Sequence, residues 1–239
     1  MSNREPCNYI ITGASGLLGK HVVNVLAEHG ERLFLVGRTK QRLDELQGIA
    51  PSRISTYSGD LTDSSVAQEA VSIAVKSFGN IHGLVHLVGQ FARGSIRATP
   101  AAQYIAAFDT NFLTAVNITQ PLLSQLASDA NLVYMSSFLA HDPFEGMSAY
   151  AASKAALVVW AKALAMEIRS YARVNVVSTT MLDSQHARSR LGEKARECLI
   201  NPMEVAEMIA QLLSPQTRSL NGAVIPMYGK FCLEDTTFR

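Results

Sequence analysis

Apolar residues are plentiful in this chain, yet no run of them is long enough to cross a bilayer, because charges such as Lys162 interrupt the longest stretches. Cysteines are few: Cys7, Cys198 and Cys232 are far apart and odd in number. They suit neither a zinc cluster nor a disulfide framework, so no metal site is expected and reduced thiols in a cytosolic protein are the simplest reading. Charge is sparse as well, with Asp, Glu, Lys and Arg at 17% of 239 residues and a net charge of +1. No basic run exceeds two residues, which argues against nucleic acid or an anionic membrane as partner. The opening stretch MSNREPCNYIITG shows no apolar h-region and no cleavage site, so no export signal is expected and a cytoplasmic location is. Low-complexity segments, repeats and composition breaks are missing too, and residues 1–239 read as one domain.

What is present is alternation. Short aliphatic runs, CNYIIT, RLFLVG, ISTYSGD, GLVHLVG, NLVYMSS, RVNVVST and AVIPMY, are separated by segments of helical period, from 17–29 through the long stretch 101–126 to 203–213. Continuously apolar strands are covered on both faces. Strand–helix alternation repeated this often implies an α/β fold with a doubly wound parallel sheet, three αβα layers of Rossmann type, and right-handed crossovers.

The turn ITGASGLLGK follows the first strand and opens the first helix. Gly13 suits a tight turn, Gly16 a close approach to a pyrophosphate, and Gly19 helix-to-sheet packing. Around them Ser15, Leu18 and the other N–H groups at the helix start face the anion of a dinucleotide. An acid at the end of the second strand would bind ribose hydroxyls, but this chain reads LFLVGRTKQRL, with no Asp or Glu until Asp44. Arg38 suits a 2′-phosphate, with Thr39 and Lys40 as further donors, so NADP(H) is expected over NAD(H). Asp60, next to Leu61, is placed for the adenine amino group; its other reading is a helix N-cap, a role Asp63 or Ser64 can also fill.

In AYAASKAAL, Tyr150 and Lys154 stand four residues apart in a segment rich in the best helix former, so they share a helix face. Ser137 precedes Tyr150 by thirteen residues, and Asn111 lies on the long fourth helical stretch. With the glycine turn, this spaced set resembles the short-chain dehydrogenase/reductase superfamily over nearly the whole chain. The resemblance implies Asn111, Ser137, Tyr150 and Lys154 as the catalytic residues of hydride transfer between NADP(H) and a small carbonyl or alcohol, 3-oxoacyl compounds included. It implies Tyr150 as proton donor or acceptor, with its pKa brought down by Lys154, and Ser137 as a second bond to the substrate oxygen. It implies Lys154 on the nicotinamide ribose, Asn111 holding a water, and Gly89, Leu182 and Ser184 along the cofactor, Ser184 on its carboxamide. Family members commonly form homodimers or homotetramers through the fourth and fifth helices.

The chain departs from the family at four places. Gly16 stands where the short form would put its middle glycine one residue later, at Leu17. The Asn-Asn-Ala-Gly turn is His86, Leu87, Val88 and Gly89; Pro-Gly becomes Thr179 and Thr180; and Asp-Gly-Gly becomes Tyr228, Gly229 and Lys230. Segment 183–202, where the family keeps a substrate lid, carries Arg188, Arg190, Lys194 and Arg196. These suit an anionic or carrier-bound substrate, although a solvated face is the simpler reading. Phe91, Phe138, Phe144 and Met147 in the neighbouring loops point to a moderately apolar substrate. The altered turns favour a second reading, a dinucleotide-binding sensor without turnover; the full set of four catalytic residue types opposes it.

Overall fold

The computed structural model describes residues 5–191 and 193–230; Cys232 and the side chain of Lys194 lie outside what it describes. The strands are β1 (Asn8–Thr12), β2 (Arg32–Gly37), β3 (Ile54–Ser58), β4 (Ile81–His86), β5 (Leu126–Ser137), β6 (Ala172–Thr179) and β7 (Val224–Met227). All pair in parallel in the order β3-β2-β1-β4-β5-β6-β7. The order reverses between β1 and β4, which opens a crevice at their carboxyl ends.

Side-chain parity divides the core in two. Ile11, Leu33, Val133 and Val177 face α1 (Leu17–Glu28), α2 (Lys40–Gln47) and, after the long connection from β6, the last helix, Pro202–Leu213. Ile10, Phe34, Leu132, Tyr134 and Val176 face α3 (Ser64–Phe78), the long helical stretch and the helix that bears Tyr150. That stretch consists of α4 (Ala101–Phe108), a π-helical turn at Asp109–Leu113 and α5 (Thr114–Leu122). The Tyr150 helix is α6 (Ser148–Glu167); α7 (Gln185–Arg190) and α8 (Glu193–Arg196) follow β6, and the last helix is α9.

Two expectations need correction. The steps β5→β6 and β6→β7 run the same way across the sheet, yet α6 and α9 lie on opposite faces. The last crossover therefore has the opposite hand to the rest. A short connection forces the right-handed path; the segment 180–201, threaded through α7 and α8, is long enough to reach the other face. Second, β5 begins at Leu126, ahead of NLVYMSS, with an irregular register against β4 between Ile81 and Gly83 and with Asp129 at φ 61°.

Candidate active site

The glycine turn joins β1 to α1 as its spacing predicts. Gly13 has φ +70°, and a Cβ there would lie 3.0 Å from the Leu87 carbonyl carbon, so the turn closes against the loop after β4. At its mouth is a cavity of about 280 Å³ that gathers Gly13, Ser15, Gly16, Arg38, Thr39, Asp60, Leu61 and Gly89. Leu18 is different: its side chain is core, 7% exposed, and only its backbone faces the turn. Lys40 turns back along its own helix to Asp44, 3.0 Å away. In its place Arg42 lines the cavity, and Lys20 joins Arg42 and Thr39 in an adjoining one of about 630 Å³. Arg42 was legible in principle, standing four residues beyond Arg38 in the first turn of α2.

Asp60 does not cap α3. Asp63 does, accepting from the Ser65 N–H at 2.8 Å. Asp60 accepts instead from the N–H and hydroxyl of Thr62 at 3.0 and 2.9 Å. Those bonds, chiefly, and the nearby Arg38 charge hold its carboxyl below the usual range. Asn117 on α5 fixes this loop by donating to the Leu61 carbonyl at 2.9 Å.

The turn after β4 is braced by the residue that replaces an asparagine. His86 is fully buried. Its Nδ1 lies 2.8 Å from Thr12 Oγ1 on β1, and its Nε2 lies 3.3 Å from Thr114 Oγ1 on α5. The single Thr114 hydroxyl proton goes to the Thr110 carbonyl at 2.7 Å. Thr114 therefore accepts from His86, which fixes the Nε2–H tautomer, with Thr12 donating to Nδ1. Burial, with the Lys154 charge adding to it, lowers the His86 pKa to about 3, so the ring is a neutral brace.

The four residues expected to be catalytic come together near the carboxyl ends of β4, β5 and β6. Ser137 pairs with Thr179 across β5 and β6, and its hydroxyl is near enough to the Tyr150 phenol to favour the phenolate. Ser136 faces the other way and donates to the Lys154 carbonyl at 3.3 Å, so Ser137 is the serine at the phenol. Lys154 is 4% exposed and its Nζ donates to the Met135 carbonyl at 3.0 Å. A Cβ on Gly89 would stand 2.9 Å from that Nζ and 3.2 Å from Asn111 Oδ1, so the bare glycine, itself lining the cavity, leaves room for the ammonium and the amide directly behind it. Asn111 sits in the π turn, a feature common at functional sites and invisible in the sequence. Its Oδ1 accepts from Gln90 N–H at 2.7 Å, and its Nδ2 donates to the Gln90 carbonyl at 3.1 Å and to Ser153 Oγ at 3.0 Å. Ser153 in turn donates to the Tyr150 carbonyl at 2.7 Å. The loop, the π turn and α6 are thus joined through a serine that sequence reasoning passed over.

The expected pKa pattern is not the one found. Burial raises the Tyr150 pKa, with the Ser137 bond opposing it, and burial lowers Lys154 to about 8. The phenol is held in its protonated form. Leu182 and Ser184 stand apart from the cavity: Leu182 bridges Ile200 and Ser184 caps α7, accepting from Ala187 N–H at 3.0 Å. The Thr180 hydroxyl, one residue past the Thr179 that pairs with Ser137, is buried without a hydrogen-bond partner.

The sequence model of the short chain dehydrogenases matches residues 8–195. The chain belongs to the short-chain dehydrogenase family. Among its curated relatives, the 3-oxoacyl-(acyl-carrier-protein) reductase FabG of Thermotoga maritima is 28% identical over 92% of this chain and 95% of that one. Oxidoreductase UcpA of Salmonella typhimurium is 32% identical over 89% of each. In fold, this short-chain dehydrogenase is similar to an NADPH-bound short-chain oxidoreductase of Pseudomonas aeruginosa with an atypical catalytic centre, at TM-score 0.89 and 23% identity over 95% and 97% of the two chains. A nicotinamide dinucleotide fits the residues here: Gly89, which lines the cavity, leaves a cradle that a Cβ would fill. No helix among the described residues is long and apolar enough to cross a membrane.

Proposed function

We propose that this oxidoreductase is an NADP(H)-dependent carbonyl reductase, one domain acting as a cytoplasmic homo-oligomer, with Tyr150 as proton donor. The observation that carries the reading is Tyr150 beside Ser137, with the Lys154 ammonium held against Gly89 at the edge of the cavity that Arg38 also lines. The dinucleotide, when bound, supplies the hydride, and carbonyl, NADPH and a proton become alcohol and NADP⁺. Ser137 holds the carbonyl oxygen and Tyr150 delivers the proton to it as charge develops. Lys154, beside Gly89, presents its ammonium to the ribose, and Asn111 keeps the loop and α6 in register. Arg38 and Arg42 take the 2′-phosphate; a guanidinium forks onto phosphate oxygens as an ammonium does not.

Fluorescence titration with NADPH and NADH, followed by a carbonyl screen beginning with 3-oxoacyl thioesters for the sake of the Thermotoga relative, tests this. Arg38→Glu is expected to cost NADPH at least about tenfold in affinity and NADH little. Tyr150→Phe is expected to abolish reduction while leaving NADPH binding intact. Activity surviving in that variant removes Tyr150 as donor. The Thr179–Thr180 turn favours a second reading, a dinucleotide-binding regulator; tight NADPH binding with no carbonyl reduced would decide for it.

A further inference from the structure

Of the four apolar residues expected at the substrate, the structure withdraws two. Phe138 and Met147 are core, 4% and 6% exposed. Phe144 packs its ring 5.8 Å from Phe138 and lines a separate groove beside α6. Phe91 is left. The residue is 55% exposed, and its ring centroid lies 5.2 Å from that of Tyr150 at an interplanar angle of 62°.

A phenyl on an irregular loop ordinarily folds away from water, at a gain that grows with the apolar area covered. This one is held in place. Just before it, the N–H and the carbonyl of Gln90 are both bonded to the Asn111 amide. Three residues after it, Gly94 N–H donates to the Gly146 carbonyl at 2.9 Å, tying the loop to the one ahead of α6. Only Phe91, Ala92 and Arg93 lie between the two anchors. The ring is therefore a preorganised surface, its edge-to-face contact spent on Tyr150 and the remainder open.

We propose that Phe91 is the apolar wall of the substrate site, and that the carbonyl compound reduced there carries an aryl or branched alkyl group that packs on it. The inference rests on Tyr150 as proton donor. The phenol oxygen projects from the ring that Phe91 touches, so a carbonyl held by Tyr150 and Ser137 brings its substituent against Phe91. A polyhydroxylated substituent would trade bonds to water for a phenyl face and be disfavoured.

The test compares acetophenone with hydroxyacetone as substrates of wild type, Phe91→Ser and Phe91→Leu. Phe91→Ser is expected to lower kcat/KM for acetophenone about tenfold and to move hydroxyacetone by less than about threefold, the loss expected from exposing half a phenyl. Phe91→Leu is expected to keep most of the acetophenone rate. Equal losses on both ketones would make Phe91 a mere shield for Tyr150, and no loss would remove it from the site; either overturns the proposal. Saturation-transfer NMR of the two ketones on the NADP⁺-loaded protein reads the same preference without turnover. A selective acetophenone signal that Phe91→Ser abolishes supports the wall, even if neither ketone is reduced. In that event it is the carbonyl-reductase reading that fails.

Discussion

At the scale of single residues, the site depends on what is left out as much as on what is supplied. Gly89 has no special dihedral to satisfy, yet a methyl there would sit 2.9 Å from the Lys154 ammonium and 3.2 Å from Asn111 Oδ1. The ammonium is the far end of a flexible side chain, so the molecule can yield there cheaply, by moving the very group the chemistry needs. Gly89→Ala is accordingly expected to melt within a few degrees of wild type while kcat/KM falls at least about tenfold, roughly the worth of one misplaced charge-assisted bond. A large drop in melting temperature with activity preserved would contradict that. Tyr150 shows the complementary effect. Lysine at i+4 suggested a lowered phenol pKa, but burial is the largest influence on this phenol and raises the pKa instead, against the Ser137 hydroxyl. A protonated phenol is ready to give a proton, which suits reduction.

At the scale of elements, the junctions between strands and helices hold the departures from the family. The turn after β4 lost its asparagines, and His86 took over by bridging β1 and α5 through Thr12 and Thr114. That brace has a pH signature. The unfolded chain takes up a proton on this ring near pH 6.5 and the folded one only near about 3. The unfolded state thus binds more protons between those values, and stability is lost as pH falls through that window. Urea denaturation of the apoprotein should show a steeper acid loss between pH 6.5 and 4 for wild type than for His86→Asn. Identical slopes would mean that His86 is not held neutral. The π turn at Asp109–Leu113 is the other junction of note, placing Asn111 on the Gln90 backbone and on Ser153.

At the scale of the whole molecule, α6 and its neighbours offer more apolar surface than one chain uses. Val159 is 68% exposed, Met166 62% and Ile105 61%, with Leu113 at 39%. Ala152, Val159, Ala163 and Met166 recur along one stripe of α6, and all four are exposed. A contiguous patch of this kind calls for a covering surface. Sedimentation at micromolar concentration is expected to show a homo-oligomer, and Val159→Glu combined with Met166→Glu to yield folded monomers. A wild-type monomer would remove oligomerisation from the proposed function.

The sequence by itself determined the sheet, the glycine turn and the positions that meet at the site, because hydrophobic period and motif spacing are local and survive without a fold. Ser137, Tyr150 and Lys154 could be paired from their intervals alone, and the missing acid after β2 pointed to Arg38. Other features are contacts between residues far apart in the chain, and only the tertiary structure could decide them. Among them are the Asn111–Ser153 link and the neutral tautomer of His86. The withdrawal of Phe138 and Met147 into the core is another. The hand of the last crossover belongs with these, since it depends on how far the segment 180–201 must travel. The Tyr150 pKa does too: spacing puts a lysine one helical turn from the phenol, but desolvation is set by everything packed around the ring, and that is the largest effect on it.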